Sequence, residues 1–204
     1  MKNFFLLILF TMSAIITNAS TPSEQALSVG DKAPDFELTN VDGKLIALND
    51  YSNEKGVIVI FTCNQCPFSK AYEDRIIDMN KLSSKQGYPV VAINPNDKDR
   101  VPEDSFENMK IRSEERGFNF PYLYDADQSV ATSYGASRTP HVFLLTSEKS
   151  GFRVAYIGAI DDNVKDTAAV TEKYVENAIK DLEAGKPIKK PNTKAIGCTI
   201  KWKS

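Results

Sequence analysis

The chain has 204 residues, enough for one ordinary domain, and its 42% hydrophobic and 25% charged residues are typical of a soluble globular protein. Its formal net charge is −2, and no basic run is interleaved with aromatic residues. These features argue against nucleic acid or an anionic membrane surface as a partner.

The first residues differ from the rest. Lys2 precedes a largely apolar stretch over residues 4–16, which is too short for a bilayer span of about 20 residues. Together with the small residues around Ala19, it predicts a secretory signal peptide over 1–19, an uncleaved anchor being the alternative. A polar linker over 20–28 follows. We therefore expect a periplasmic or extracellular protein without membrane contact after cleavage, in a compartment where disulfides persist.

The regular elements begin near residue 29. A hairpin turning at Asp42-Gly43 is followed by a continuous apolar run over 56–61, typical of a strand buried on both faces. Apolar residues at helical spacing predict a helix over about 67–85. The later predicted elements are a strand over 89–93, a helix from 103 or 104 to 117, a strand over 122–124, a helix over 129–134, strands over 141–145 and 153–157, and a last helix stopped by Gly185 and Pro187.

This order of elements predicts the fold class. Strands that alternate with helices, then two consecutive strands and a helix, indicate an α/β fold with a central mixed sheet flanked by helices and an N-terminal hairpin extension. We expect one domain over 29–185 and a basic, irregular tail over 186–204 that carries Cys198.

The segment Cys63-Asn64-Gln65-Cys66-Pro67 carries the predicted chemistry. It joins a buried strand to a helix N-terminus, where unpaired backbone N–H groups and the helix dipole stabilise an anion such as a thiolate. A lowered cysteine pKa makes a nucleophile, and the two-residue spacing lets the second sulfur resolve a mixed disulfide. Three cysteines are too few to staple this fold, so the pair is predicted to be redox-active.

A second informative segment is Arg138-Thr139-Pro140-His141, which precedes an apolar strand. Proline is unusual at the start of a buried strand because it cannot donate to the ladder. A cis bond there would expose the backbone of Thr139 to a partner chain, whereas an ordinary trans loop proline is the simpler alternative.

These segments resemble a known family. Gly30 to Leu38 is similar to the entry segment of the redoxin group, the alkyl hydroperoxide reductase and thiol-specific antioxidant family. Residues 63–67 and Thr139-Pro140 resemble the active site and cis-proline of thioredoxin-fold proteins. Residues 61–75, 94–97 and 158–163 resemble a peroxiredoxin-like subgroup. The resemblance implies a thioredoxin-like fold with Pro140 cis and facing the cysteine pair, and Thr139-Pro140 binding substrate.

Two departures from the family bear on activity. If Cys66 corresponds to a peroxidatic cysteine, Cys63 and Val59 stand where peroxiredoxins have threonine and proline, which argues against efficient peroxidase activity. The strand over 57–61 also lacks the buried acid of thioredoxins, for which Glu54 and Asp161 are candidate replacements.

Three further residues are candidates for supporting roles. Cys198 is the odd cysteine and is either a resolving thiol or an inert one. His141, the only histidine, could supply a base or a metal ligand, although a structural role is common for such a residue. Arg138 could hold a thiolate or a substrate anion, although a solvated loop residue is the simpler interpretation.

Three functions follow from these residues, and the first two require no cofactor and no metal. The first is an exported thiol–disulfide oxidoreductase in which Cys63 is the more exposed nucleophile and Cys66 resolves. The second is a thiol peroxidase with Cys66 or Cys63 as the peroxidatic residue. The third is a copper-binding protein that uses Cys63, Cys66 and His141. Expected partners are a thiol- or disulfide-containing protein or a peroxide, and a redox protein that donates or accepts electrons.

Overall fold

The computed structural model describes residues 26–204. The predicted signal peptide over 1–19 and most of the linker over 20–28 lie outside that range. Within it no helix is long and apolar enough to cross a membrane. The helices are α1 (Pro67–Ser83), α2 (Phe106–Arg116), α3 (Ser129–Tyr134) and α4 (Tyr174–Glu183). The strands are β1 (Glu37–Asn40), β2 (Leu45–Ala47), β3 (Gly56–Phe61), β4 (Val90–Asn94), β5 (Tyr122–Tyr124), β6 (Arg138–Thr139), β7 (His141–Glu148), β8 (Gly151–Gly158) and β9 (Cys198–Thr199).

Seven strands form one mixed sheet in the order β2-β1-β5-β4-β3-β7-β8. β3, β4 and β5 are parallel, whereas β7 runs antiparallel to β3 and β8 antiparallel to β7. The β1–β2 hairpin is antiparallel and extends the sheet beyond β5. The predicted α/β fold, its mixed sheet and its N-terminal hairpin are confirmed.

The central strand β3 explains where the core lies. All six of its residues are buried, as the uninterrupted apolar run predicts. Because side chains alternate across a strand, Val57, Val59 and Phe61 enter the cluster on one face, which also contains Tyr134 and Phe143. Ile58 and Ile60 enter the cluster on the other face, with Tyr72 and Ile76 of α1.

The C-terminal tail is largely irregular in secondary structure but packs against the domain. Its backbone follows β8, where the Ile157 N–H donates to Pro191 O and Thr193 N–H donates to Ile157 O. Gly158 has a φ of 149°, and a Cβ there would overlap Thr193. Farther along, Ile200 is 3% exposed within the core cluster. The chain after Gly185 is therefore docked on the domain. These contacts join residues far apart in sequence, so local sequence patterns do not indicate them.

Candidate active site

The cysteine loop lies at the carboxyl end of β3. The Thr62 N–H donates to the Ile93 carbonyl, which extends the parallel pairing with β4 by one residue. Cys66 is the residue that precedes the first turn of α1, and Pro67 is its first helical residue. Proline is well suited to that position because the N–H it lacks would have no helical partner. The loop thus delivers Cys66 to the positive end of a 17-residue helix.

Thr139 and Pro140 meet this loop because β7 begins where its antiparallel neighbour β3 ends, with Phe61 opposite His141. The Thr139–Pro140 peptide bond is cis, as the resemblance implied. The Cys63 Sγ lies 3.3 Å from the Thr139 hydroxyl, and the Cys66 Sγ lies 3.1 Å from the Thr139 carbonyl oxygen. The predicted juxtaposition of this segment with the cysteine pair is therefore present.

The third cysteine also reaches the site. Cys198 in β9 lies opposite Thr139 in the β6–β9 pair, and its Sγ is 2.7 Å from the Sγ of Cys66. Cys63, Cys66 and Cys198 are not joined in a disulfide. A disulfide has an S–S distance of about 2.05 Å, so only a small displacement separates this contact from a bond. Of the two predicted interpretations of Cys198, this position favours the resolving thiol.

The electrostatics of the pair differ from the expectation. Cys63 is 3% exposed and Cys66 4%, so Cys63 is not the more exposed residue. Hydrogen bonding from the Cys63 thiol, aided by Cys198 and the backbone of Ser69, lowers the pKa of Cys66 well below its usual value. The same bond, burial and the charge of Asp104 raise the pKa of Cys63. These directions favour Cys66 over Cys63 as the thiolate, which is the reactive form of cysteine.

A thiolate at Cys66 predicts a flat pH dependence of alkylation. The rate at which iodoacetamide modifies Cys66 at pH 6 should be within about threefold of that at pH 8, because a thiol with a pKa far below 6 is ionised at both. An ordinary thiol with a pKa of about 8.5 would slow roughly 75-fold over the same interval. Peptide mapping by mass spectrometry gives the site-specific rates. A steep fall at Cys66 would contradict the assignment.

Asp104 is the functional residue that sequence reasoning missed. It is fully buried, and its Oδ1 accepts the backbone N–H groups of Asn64 and Gln65 at 2.6 and 3.2 Å. These bonds fix the loop between the two cysteines. Burial raises the pKa of Asp104, against the lowering effect of its hydrogen bonds. The only sequence signal was the acidic start of the predicted second helix.

The two acids suggested as replacements for the thioredoxin carboxylate lie elsewhere. Asp161 accepts hydrogen bonds from the Tyr72 hydroxyl at 2.8 Å and from Arg75 at 2.7 Å. Glu54 precedes β3 and so lies at the opposite end of that strand from the cysteines. Neither residue supplies the buried acid of this site, and Asp104 is the carboxylate that contacts the cysteine loop.

The Asn94-Pro95-Asn96-Asp97 segment connects Asp104 to the tail. The Asn96 amide donates to Asp104 Oδ2 at 2.7 Å, while the Asn96 side-chain oxygen accepts the Lys201 N–H at 2.9 Å. The Asp97 N–H donates to the Lys201 carbonyl at 2.9 Å. A single asparagine therefore holds both the acid under the cysteine loop and the strand that carries Cys198.

The other two candidate residues, His141 and Arg138, make contacts that support the fold. His141 is buried, which lowers its pKa to about 4, and its Nδ1 accepts the Ser137 N–H at 3.4 Å. Its ring packs against Phe143 with 4.7 Å between centroids. Arg138 donates to the Gly197 carbonyl at 3.2 Å, so it holds the tail backbone.

Across residues 26–204 no three His, Cys, Asp or Glu side chains are grouped to bind a metal ion. The suggested copper ligands Cys63, Cys66 and His141 therefore form no metal-binding group.

A small cavity lies beside the three sulfurs. A cavity of about 230 Å³ is lined by residues of the cysteine loop, the Asn96 segment and the tail, including Cys63, Cys66, Asp104 and Cys198. Thr139 and Pro140 are buried, with β9 along their backbone. The expectation that this backbone is exposed to a partner chain is therefore wrong, because the chain's own tail occupies it.

Comparisons with known proteins agree with this architecture. The thiol-disulfide oxidoreductase ResA of Geobacillus thermodenitrificans is 32% identical over 155 residues, 74% of this chain and 82% of that protein. A Mycobacterium tuberculosis protein provisionally named a peroxiredoxin is 29% identical over 110 residues, 54% of this chain and 65% of that one. The crystal structure of an uncharacterised conserved protein from Geobacillus kaustophilus matches with a TM-score of 0.80 and 38% identity, covering 86% of this chain and 93% of that one.

The family profile described as the AhpC/TSA family matches residues 29–167, which include the cysteine loop, Asp104 and the cis-proline. The resemblance to the redoxin group drawn from the sequence is confirmed. With its thioredoxin-like fold and this match, the chain belongs to the AhpC/TSA family.

Proposed function

We propose that this protein is a thiol–disulfide oxidoreductase in which Cys66 is the attacking thiolate and Cys63 the thiol that completes the exchange. The observation that carries the proposal is the placement of Cys66 at the N-terminus of α1, where the Cys63 thiol stabilises its thiolate. Oxidoreductase activity on thiols is also supported by the names of relatives, a thiol-disulfide oxidoreductase and a peroxiredoxin.

The proposed reaction has two steps. The Cys66 thiolate attacks a substrate disulfide, forms a mixed disulfide and releases one substrate thiolate. Cys63 loses its proton to that thiolate and attacks the Cys66 sulfur, which releases the second substrate thiolate. The substrate gains two electrons, and the protein ends with a Cys63–Cys66 disulfide. The reverse sequence oxidises a dithiol, so reduction potential decides the direction.

Cys198 provides a second route for resolving the mixed disulfide. Its Sγ is 2.7 Å from that of Cys66, and burial and the neighbouring Cys66 raise its pKa. Once deprotonated, Cys198 can attack the Cys66 sulfur of the mixed disulfide, which forms a Cys66–Cys198 disulfide and releases the second substrate thiolate. The electron balance is the same as with Cys63, since the substrate gains two electrons and two protein thiols are oxidised.

Export is the second part of the proposal. The apolar segment over 4–16 after Lys2 is the residue pattern that supports it. In an oxidising compartment a disulfide between these cysteines persists until a partner thiol reduces it, so a redox partner is required for turnover.

A redox titration tests the proposed reaction. The protein is equilibrated with reduced and oxidised glutathione, quenched with acid, alkylated and mapped by mass spectrometry. We expect a two-electron transition in which the protein loses two thiols and the peptides containing Cys63 and Cys66 become linked, with a fraction linking Cys66 to Cys198. Thiols that remain free across the whole glutathione range would contradict the function.

Thiol peroxidase activity is the second candidate. The low pKa of Cys66, two thiols close enough to resolve a sulfenic acid and the family match favour it. Val59 and Cys63 at the positions of the peroxiredoxin proline and threonine oppose it. We expect the reduced protein to consume hydrogen peroxide no faster than a simple thiolate. A rate far above that would establish the peroxidase.

A further inference from the structure

The C-terminal strand occupies the backbone that an extended substrate chain would need. In β6–β9, Cys198 lies opposite Thr139 and Thr199 opposite Arg138 in antiparallel register. Strand addition is a general mode of peptide recognition, in which main-chain hydrogen bonds supply affinity. Here Thr139 already has an internal partner, and that partner presents a cysteine 2.7 Å from the attacking sulfur.

The tail is fastened on both sides of Cys198. Before it, Gly197 approaches the cis peptide so closely that a Cβ would overlap the Thr139 carbonyl and lie 3.0 Å from the Pro140 nitrogen. After it, Ile200 is buried and the Lys201 backbone bonds to Asn96 and Asp97. The Gln128 side chain donates to the Lys201 carbonyl at 2.9 Å and accepts the Lys203 N–H at 2.7 Å.

An approach for small molecules remains. The cavity of about 230 Å³ reaches Cys63 and Cys66 from the side of Asn96 and Val101. It is large enough for the reacting end of a small disulfide. A polypeptide would have to displace β9, with Gly197, before its backbone could pair with Thr139.

We propose that the C-terminal strand is a specificity element that excludes polypeptide substrates, so the site exchanges with low-molecular-weight disulfides. This inference rests on the proposed disulfide exchange at Cys66. Gly197 is the positioning residue, because only a residue without a side chain lets the strand lie against Thr139 and Pro140.

The test compares two substrates. Reduced protein is mixed with glutathione disulfide or with insulin, whose two chains are joined by disulfides, at equal disulfide concentration. Formation of the protein disulfide is then followed. We expect glutathione disulfide to react at least about a hundredfold faster per disulfide, because pairing with Thr139 is blocked. Equal rates would overturn the inference. Reaction with neither substrate would instead contradict the disulfide exchange.

Gly197→Val supplies the second arm, with the exposed Lys194→Ala as the matched control in the same tail. The valine should displace β9 and raise the ratio of the insulin rate to the glutathione disulfide rate about tenfold or more, because any change in Cys66 reactivity caused by moving Cys198 affects both rates. Trp202, the only tryptophan, packs against the core, so quenching of its fluorescence by acrylamide should increase in Gly197→Val. A displaced tail with an unchanged substrate ratio would overturn the inference. If the valine variant does not fold, the wild-type ratio decides.

Discussion

Replacement of Cys66 by serine should lower the rate of reaction with a disulfide substrate by about a thousandfold or more, since a hydroxyl is not ionised at neutral pH and cannot attack sulfur. The structure makes Cys66 the residue to change first, because its thiolate is stabilised by the Cys63 and Cys198 thiols and by the start of α1. Stopped-flow measurement of thiolate release from a chromogenic disulfide gives the rate.

Cys63→Ser is the matched variant, with the same atom exchanged three residues earlier. The first step should persist in it, and a mixed disulfide at Cys66 should accumulate, visible in the intact mass as one added substrate moiety. The added moiety lasts longest in Cys63→Ser/Cys198→Ser, which lacks both resolving thiols. The opposite pattern, with an inert Cys63→Ser and an active Cys66→Ser, would restore the roles expected from the sequence.

Much of the fold was predictable because the determining signals are local. The run over 56–61 identifies a strand buried on both faces, and the structure buries every residue of β3. Pro67 and the helical spacing after it placed the start of α1 at the observed residue. The cysteine loop was identified from its position between a buried strand and a helix. The cis-proline was implied only by the resemblance to thioredoxin-fold proteins, since a trans proline was the simpler interpretation of the residues alone.

The roles of the two cysteines depended on distant residues and so were not predictable. Cys63 was expected to be more exposed, yet it is buried and its Sγ contacts the Thr139 hydroxyl of β6, more than seventy positions away along the sequence. The tail itself carries few local signals, since it docks through contacts to residues far away in the sequence, such as Asn96, Gln128 and Gly158. Periodicity reports which face of an element is buried and carries no information about such contacts.

The contacts of Asp104 with the cysteine loop likewise join residues far apart in sequence. Removal of Asp104 should cause a large loss of stability. Its carboxylate satisfies three donors: the backbone N–H groups of Asn64 and Gln65 and the Asn96 amide. Asp104→Ala leaves all three without a partner in a buried site, at a cost of about 1–3 kcal/mol for each donor that water cannot reach. We expect the free energy of unfolding, measured in urea, to fall by about 3 kcal/mol or more.

Two variants test whether the carboxylate contacts cause that loss. Glu103→Gln, at the exposed neighbouring residue, should be within about 0.5 kcal/mol of the wild type. Asp104→Asn keeps an oxygen for the two backbone N–H groups but turns an amide donor toward the amide donor of Asn96, whose own oxygen is bound to Lys201. Its loss of unfolding free energy should therefore be intermediate.

Because burial raises the pKa of Asp104, the folded state holds the proton of that carboxyl more tightly than the unfolded chain does. The advantage of the wild type over Asp104→Ala should therefore shrink as pH rises through the ionisation of this carboxyl. An advantage that grows with pH would show that the carboxylate is stabilised in the folded state rather than penalised by burial.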